Sequence, residues 1–221
     1  MARHIPHLFV PGPWQDESVD LAAATCRHLE KVLRLQAPAP VTYTDGAGMV
    51  GSGTWTGSSL SRGAEEVLPR PSALVVAVAP PKNTARLRFI VEKLGEIGVK
   101  RLVWLITENT SGRTPRAEKT TSWAVGALEQ SRGAWLLEID GPVSIADLAG
   151  LGTPVFAEQH GASVADVETV TDPVLCIGPE GGFAPREIPE DSLRLSLGAT
   201  VLRVETAAVV GAARLTGLSG S

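Results

Sequence analysis

Two glycine-bearing loops in the last quarter of the chain carry the residue types best suited to do chemistry. The first follows the apolar run 174–177 and reads Gly178, Pro179, Glu180, Gly181, Gly182, Phe183. The second follows the apolar run 193–197 and passes from Gly198 to Arg203, after which Glu205 and Thr206 open a run of small residues. Glycine lets a ligand approach the backbone closely. Glu180 sets a carboxylate in the middle of the first loop, which repels an anion and suits a neutral or cationic ligand. Arg203 adds a cation next to the helix opening. Glu205 stands where a helix N-terminus favours a carboxylate, and capping alone would account for it.

Three nucleotide-type readings compete for these loops. A P-loop needs Lys and Ser/Thr after its last glycine, and Phe183 and Ala184 stand there instead. A pyrophosphate loop works through backbone N–H groups at a helix N-terminus, which Glu180 opposes. The segment 46–51 matches GxGxxG, but strand and turn residues follow it where a helix would have to open. S-adenosylmethionine, with a sulfonium charge and an adenine readable by backbone groups, fits the 178–182 loop. So does a ligand-free reading, a tight strand-to-helix turn with Pro185 in the helix first turn. No metal site is expected, because Cys26 and Cys176 form no CxxC pair. Cys176 reads as a buried small hydrophobe.

The elements that must position these loops alternate from residue 74 onward. Strands are expected over 74–79, 101–106, 134–139 and 154–158, and helices over 83–95, 115–131 and 144–148. That rhythm predicts a mostly parallel sheet covered on both faces, with ligands at the carboxyl ends of its strands. The small residues Ala207, Ala208, Gly211, Ala212 and Ala213 permit close packing of the last helix, on the sheet or on a second subunit.

Residues 1–70 read as a small β-rich unit with one helix over 21–35, capped by Asp20. Leu21, Thr25, Leu29, Val32 and Leu33 form its inner face, while Arg27, Lys31 and Arg34 share another. That basic stripe suits either phosphates or solvent. Residues 41–44 and 53–56 read as strands, Asp45-Gly46 as a hairpin turn, and 57–72 as a linker. The chain has 221 residues and a net charge of −4, with no apolar run long enough for a membrane span and no signal-peptide pattern. A cytoplasmic protein is expected. Charge is unevenly placed: residues 82–119 hold nine Lys/Arg against four Glu, and residues 138–191 hold eleven Asp/Glu against Arg186. Such asymmetry can place a basic surface on an acidic chain.

Together the two motifs, 178–183 with Glu187-Ile188 and 197–207 as Leu-Gly-x-x-x-Leu-Arg-x-Glu-Thr-Ala, resemble the RsmE family of 16S ribosomal RNA uridine N3-methyltransferases, of the SPOUT superfamily. Lys82, Lys93 and Glu96-Ile97-Gly98-Val99 resemble its upstream segment, and Glu129-Gln130-Ser131 its Glu-Gln motif. Arg3 and residues 28–34 look like its N-terminal signature. The likeness covers nearly the whole chain.

The resemblance implies an α/β SPOUT-type catalytic domain, trefoil-knotted about 174–208, over residues 72–221, after a small PUA-like β-barrel over 1–68 that grips RNA. It implies a homodimer, with the small-residue helix packed near the subunit interface. S-adenosylmethionine would be held by Glu158, Ile177, Gly178, Pro179, Glu180, Gly181, Gly182, Leu197, Gly198, Val201, Leu202 and Arg203. Arg203 and Glu205 would be catalytic, Arg203 offsetting charge on the base, and Glu205 or Glu96 orienting it. Arg3, Arg27, Lys31, Arg34, Lys82, Lys93 and Arg113 would meet 16S RNA or the small subunit. Two family arginines are replaced here, by Asn109 and by Gly133, although Arg113 and Arg132 lie near. These departures leave room for a knotted cofactor- or RNA-binding module without catalysis, or for another RNA target.

Overall fold

The computed structural model describes residues 5–164, 167 and 170–216. They divide into two compact units. One comprises the described residues up to Pro69 together with Leu128–Leu136, and the other holds Arg70–Ala127 and the described chain from Leu137.

In the first unit, strands β1 (His7–Phe9), β2 (Ser18–Asp20), β3 (Ala39–Thr44), β4 (Met49–Trp55) and β5 (Ser59–Val67) form one sheet in the order β1-β3-β4-β5-β2. β1 runs parallel to β3 and the other neighbours are antiparallel. The β3–β4 hairpin turns at Asp45, whose Oδ1 accepts from the N–H groups of Ala47 and Met49 at 2.7 and 3.0 Å. Leu8, Val41, Tyr43, Trp55, Leu60 and Leu29 bury the core beneath the sheet.

Three local expectations change here. The segment expected to be a linker is largely β5, a nine-residue strand. Its serines, glycine and charges face outward or pair along the strand, as where Arg62 binds the Glu65 carboxylate at 2.7 and 2.8 Å, so only Leu60 signals burial. The helix is also shorter. α1 (Ala23–Arg27) follows Ala22, with no side-chain cap, and gives way to a π turn at His28–Val32, where Leu33 N–H bonds His28 C=O at 3.0 Å. The wider turn rotates later residues off the expected face. Leu29 stays buried, whereas Val32 and Leu33 are exposed and Arg34 lies beyond the helix at φ 53°.

Residues 128–136 contribute to this unit through polar contacts. The Glu129 carboxylate accepts the Phe9 N–H at 3.0 Å. His7 Nε2 donates to the Gly133 carbonyl at 3.1 Å, and its Nδ1 lies 2.8 Å from the Thr42 hydroxyl. Burial pushes the imidazole below the usual histidine range and the Glu129 carboxyl above the usual carboxylate range. Ala134 and Trp135 were expected to begin a strand. Instead the Ala134 carbonyl accepts from the Gly48 N–H and the Thr44 hydroxyl, and Trp135 Nε1 donates to the Leu68 carbonyl.

The second unit is a six-stranded sheet in the order β11-β9-β10-β6-β7-β8, every neighbouring pair parallel. Its strands are β6 (Val75–Val78), β7 (Arg101–Ile106), β8 (Glu138–Ser144), β9 (Thr153–Ala162), β10 (Pro173–Ile177) and β11 (Leu193–Leu195). β6 and β10 are almost wholly buried, as their unbroken apolar runs require of a sheet covered on both faces. The Cys176 thiol is pushed up to about 12 by burial, in keeping with a packing role.

Helix α2 (Thr84–Ile97) is capped by the Asn83 side chain and ends at Gly98 in the left-handed conformation. It buries Leu87, Ile90, Val91 and Leu94, a helical stripe. Helix α3 (Ala117–Ser131) leads into the segment that joins the first unit. Helix α4 (Val204–Thr216) buries Ala207, Ala208, Gly211 and Ala212. A Cβ on Gly211 would come within 2.6 Å of Leu175, so its small face is filled by this chain's own sheet.

Candidate functional site

The site forms where the sheet divides. β10 pairs with β9 as far as Cys176 opposite Phe156. On the other side of β9, β11 shifts register, with Arg194 opposite Phe156 and Leu195 opposite Ala162. Such an irregularity bends a strand and re-aims its side chains. Between the diverging strand ends lies a cavity of about 560 Å³, within the range of sites for small molecules and cofactors.

All the residues expected to hold a cofactor line this cavity except Gly181, which packs against Asn109. Gln159, His160, Phe183 and Thr200 line it too and were not anticipated. Gln159 and His160 lie in the part of β9 that the register shift skips, a signal that only strand pairing reveals. Glycine matters at two of the lining positions. Gly182 and Gly198 hold φ of 70° and 151°, and a side chain on either would project into open space. The backbone there is exposed to whatever enters.

The first loop is fixed from several directions. The Phe183 ring packs edge-on against Phe156, with centroids 5.2 Å apart, and a Cβ on Gly178 would meet the Phe183 ring at 3.0 Å. Asn109 Nδ2 donates to the Gly182 carbonyl at 3.1 Å. The Glu187 carboxylate accepts from the N–H groups of Ala184 and Glu108 at 2.7 and 2.6 Å, and Arg186 pairs with Glu108 at 2.7 Å. Residues 184–187 form a turn, so the helix expected to open at Pro185 is absent. Asn109, standing where the resembling family has arginine, thus serves the loop's backbone.

The second loop has fewer ties. Ser196 Oγ donates to the Gln159 carbonyl at 3.1 Å, while Val201 is 80% exposed. The exposed Arg203 side chain lines the cavity and forms no ion pair among the described residues. Glu205 was expected to orient Arg203 and turns instead to Arg86 of α2, at 3.4 Å, while Glu96 is held by Lys93. Arg86 also reaches Glu180 of the first loop at 3.5 Å. Glu158 is paired with Arg194 at 2.6 Å.

Among the residues expected to meet RNA, Arg3 lies outside the described residues. Arg27, Lys31 and Arg34 are exposed in the first unit. Lys82 is exposed between β6 and α2, and Arg113 is exposed after β7. Gly112 brings that loop against Pro80 and Pro81, where a Cβ would collide. No group of three or more His, Cys, Asp or Glu among the described residues could hold a metal ion. No helix among them is long and apolar enough to cross a membrane.

Against this geometry, the model of a family described as an RNA methyltransferase domain matches residues 68–216. A ribosomal RNA small subunit methyltransferase E from Synechocystis sp. is 27% identical, over 92% of this chain and 74% of its own. Another, from Rickettsia conorii, is 26% identical, over 72% and 71%. The crystal structure of a ribosomal RNA small subunit methyltransferase E from Neisseria gonorrhoeae bound to S-adenosyl methionine has a TM-score of 0.85 at 21% identity. It covers 97% of this chain and 98% of that one, a likeness of fold.

Proposed function

The chain belongs to the RNA methyltransferase family, as its two motifs foreshadow, and from that membership we propose that it methylates N3 of a uridine in small-subunit (16S) ribosomal RNA, with S-adenosylmethionine as donor. One observation carries the reading. Both motif loops and the skipped stretch of β9 converge on a single cavity at the carboxyl ends of adjacent parallel strands.

The residues fit the cofactor. The glycine backbone at 182 and 198 opens onto free space, the lining is largely apolar, and Glu180 supplies a carboxylate to a cationic ligand. When bound, S-adenosylmethionine would supply an electrophilic methyl group on sulfur. The chain's own task is to hold uridine N3 in line with that methyl and to tolerate the charge left when N3 loses its proton. Arg203 has the place and the freedom for that role, being exposed at the cavity and free of a carboxylate partner among the described residues. A base inside a helix could not reach this position, so the target is unstacked or single-stranded.

The same reading assigns RNA gripping to a PUA-like barrel over residues 1–68, through Arg3, Arg27, Lys31 and Arg34. It assigns the approach to the catalytic domain over residues 72–221 to Lys82, Lys93 and Arg113. It extends to this chain a trefoil knot about 174–208, a homodimer and a cytoplasmic location. A second reading, cofactor or RNA binding without transfer or transfer to another RNA, draws on Asn109, whose amide is already engaged by the Gly182 carbonyl. Mass spectrometry of ribosomal RNA nucleosides from cells with and without the gene, beside transfer assays on 16S RNA and small subunits, tests the proposal. Loss of N3-methyluridine without the gene is expected. Cofactor binding with no transfer to any ribosomal substrate would replace it with the second reading.

A further inference from the structure

Arg86 belongs to neither motif, yet it joins them. Its Nη1 lies 3.5 Å from Glu180 Oε1 in the first loop, and its Nε lies 3.4 Å from Glu205 Oε1 in the first turn of α4. The three side chains differ in exposure. Glu205 is 12% exposed, with an Oε2 that is buried and has no hydrogen-bond partner, whereas Glu180 is 46% exposed and lines the cavity. A buried carboxylate needs a cation, and Arg86 is the cation that reaches it. The guanidinium is fixed on its inner side by Glu205, so its outer nitrogen holds Glu180 at the cavity wall. Two carboxylates around one guanidinium leave a net charge of −1 beside the space a ligand would fill. Arg88, on the same helix, pairs instead with Glu92 at 2.6 Å and takes no part.

We infer that Arg86 is a positioning residue that holds Glu180 at the cavity so that its carboxylate reads the positive charge of the ligand. The site thereby favours a cationic sulfonium cofactor over the neutral thioether left after transfer. The inference rests on the proposed methyl-donor reading. Methyl transfer to N3, with the N3 proton passing to solvent water, would leave the bound cofactor as a neutral thioether, so the positive charge on sulfur would be lost from the cavity. A carboxylate that senses this charge helps the product leave while holding the donor.

The test is titration calorimetry of the full chain with S-adenosylmethionine and, separately, with S-adenosylhomocysteine. Glu180→Gln is expected to lower the preference for the cationic ligand about threefold, the size of one partly screened charge interaction. Arg86→Gln, which releases Glu180 from the cavity wall, is expected to weaken S-adenosylmethionine about tenfold and S-adenosylhomocysteine less, so that the preference falls, and Arg86→Lys is expected to recover part of that loss. In the Arg86→Gln background, Glu180→Gln should alter the preference less than it does alone, a coupling that a merely structural Arg86 would not produce. Arg88→Ala should leave both affinities unchanged. An unaltered preference in Glu180→Gln overturns the charge reading, and wild-type affinities in Arg86→Gln overturn the positioning role. Should Arg86→Gln fail to fold, the comparison between Arg86→Lys and Glu180→Gln still decides. If the unmodified protein binds neither ligand, the methyl-donor reading itself fails, a result distinct from both.

Discussion

The two glycine loops reach the same cavity but are held in different ways. Residues 178–187 are pinned by a ring stack, a side-chain amide, a carboxylate bound to two backbone N–H groups and an ion pair. Residues 198–203 carry an 80% exposed valine and an arginine with no carboxylate partner among the described residues. A loop ordered in advance loses little further freedom when a ligand arrives, which favours affinity. A loop with free side chains can adjust to a second, larger substrate. In the proposed function, that contrast would leave cofactor retention chiefly to the first loop and the reacting charge to the second.

The sharpest way to break this division is at Arg203. Arg203→Ala is expected to reduce methyl transfer about a thousandfold, with cofactor affinity and melting temperature unchanged. A parallel loss of cofactor affinity in calorimetry would show that the second loop also retains the cofactor. Next comes the ring stack of the first loop. Gly178→Val drives a side chain into Phe183 and should weaken cofactor binding about a hundredfold, with about 1–3 kcal/mol of destabilisation seen in thermal melts. Wild-type binding there would mean the stack is incidental. Asn109→Ala removes one bond to the loop, and a loss of about fivefold in cofactor affinity is expected, as for a hydrogen bond worth ~1 kcal/mol. The smallest change should follow Val201→Ser, within about 0.5 kcal/mol in stability and under about twofold in cofactor affinity. A large loss there would reveal a second loop as fixed as the first.

What could be read from the chain alone follows the range of the interactions. The strands β6, β7 and β10 were legible because buried parallel strands are continuous apolar runs, and both loops because glycine punctuates their ends. Helix α2 announced itself through Asn83 and Gly98. β5 was not legible, since its serines and charges resemble a linker until β4 and β2 lie beside it. The π turn after α1 was hidden because its residues are ordinary helix formers and one extra residue per turn leaves no compositional trace. Gln159 and His160 depend on a register shift between strands distant in sequence, and Arg86 on two carboxylates far along the chain. Local pattern located the cavity's loops, and long-range pairing decided what holds them.

Residues 128–136 carry a consequence for how the protein comes into being. Glu129 and Gly133 supply partners for the backbone of Phe9 and the ring of His7, and Ala134 does so for Thr44 and Gly48. The first unit is therefore discontinuous in sequence. A ribosome making this chain delivers all five strands of that unit long before the segment that completes it. The nascent first unit must wait, with these polar groups open to water, until well over half of the chain has emerged. A fragment cut after Pro69 would lack the partners that residues 128–136 supply to His7, Phe9, Thr44 and Gly48.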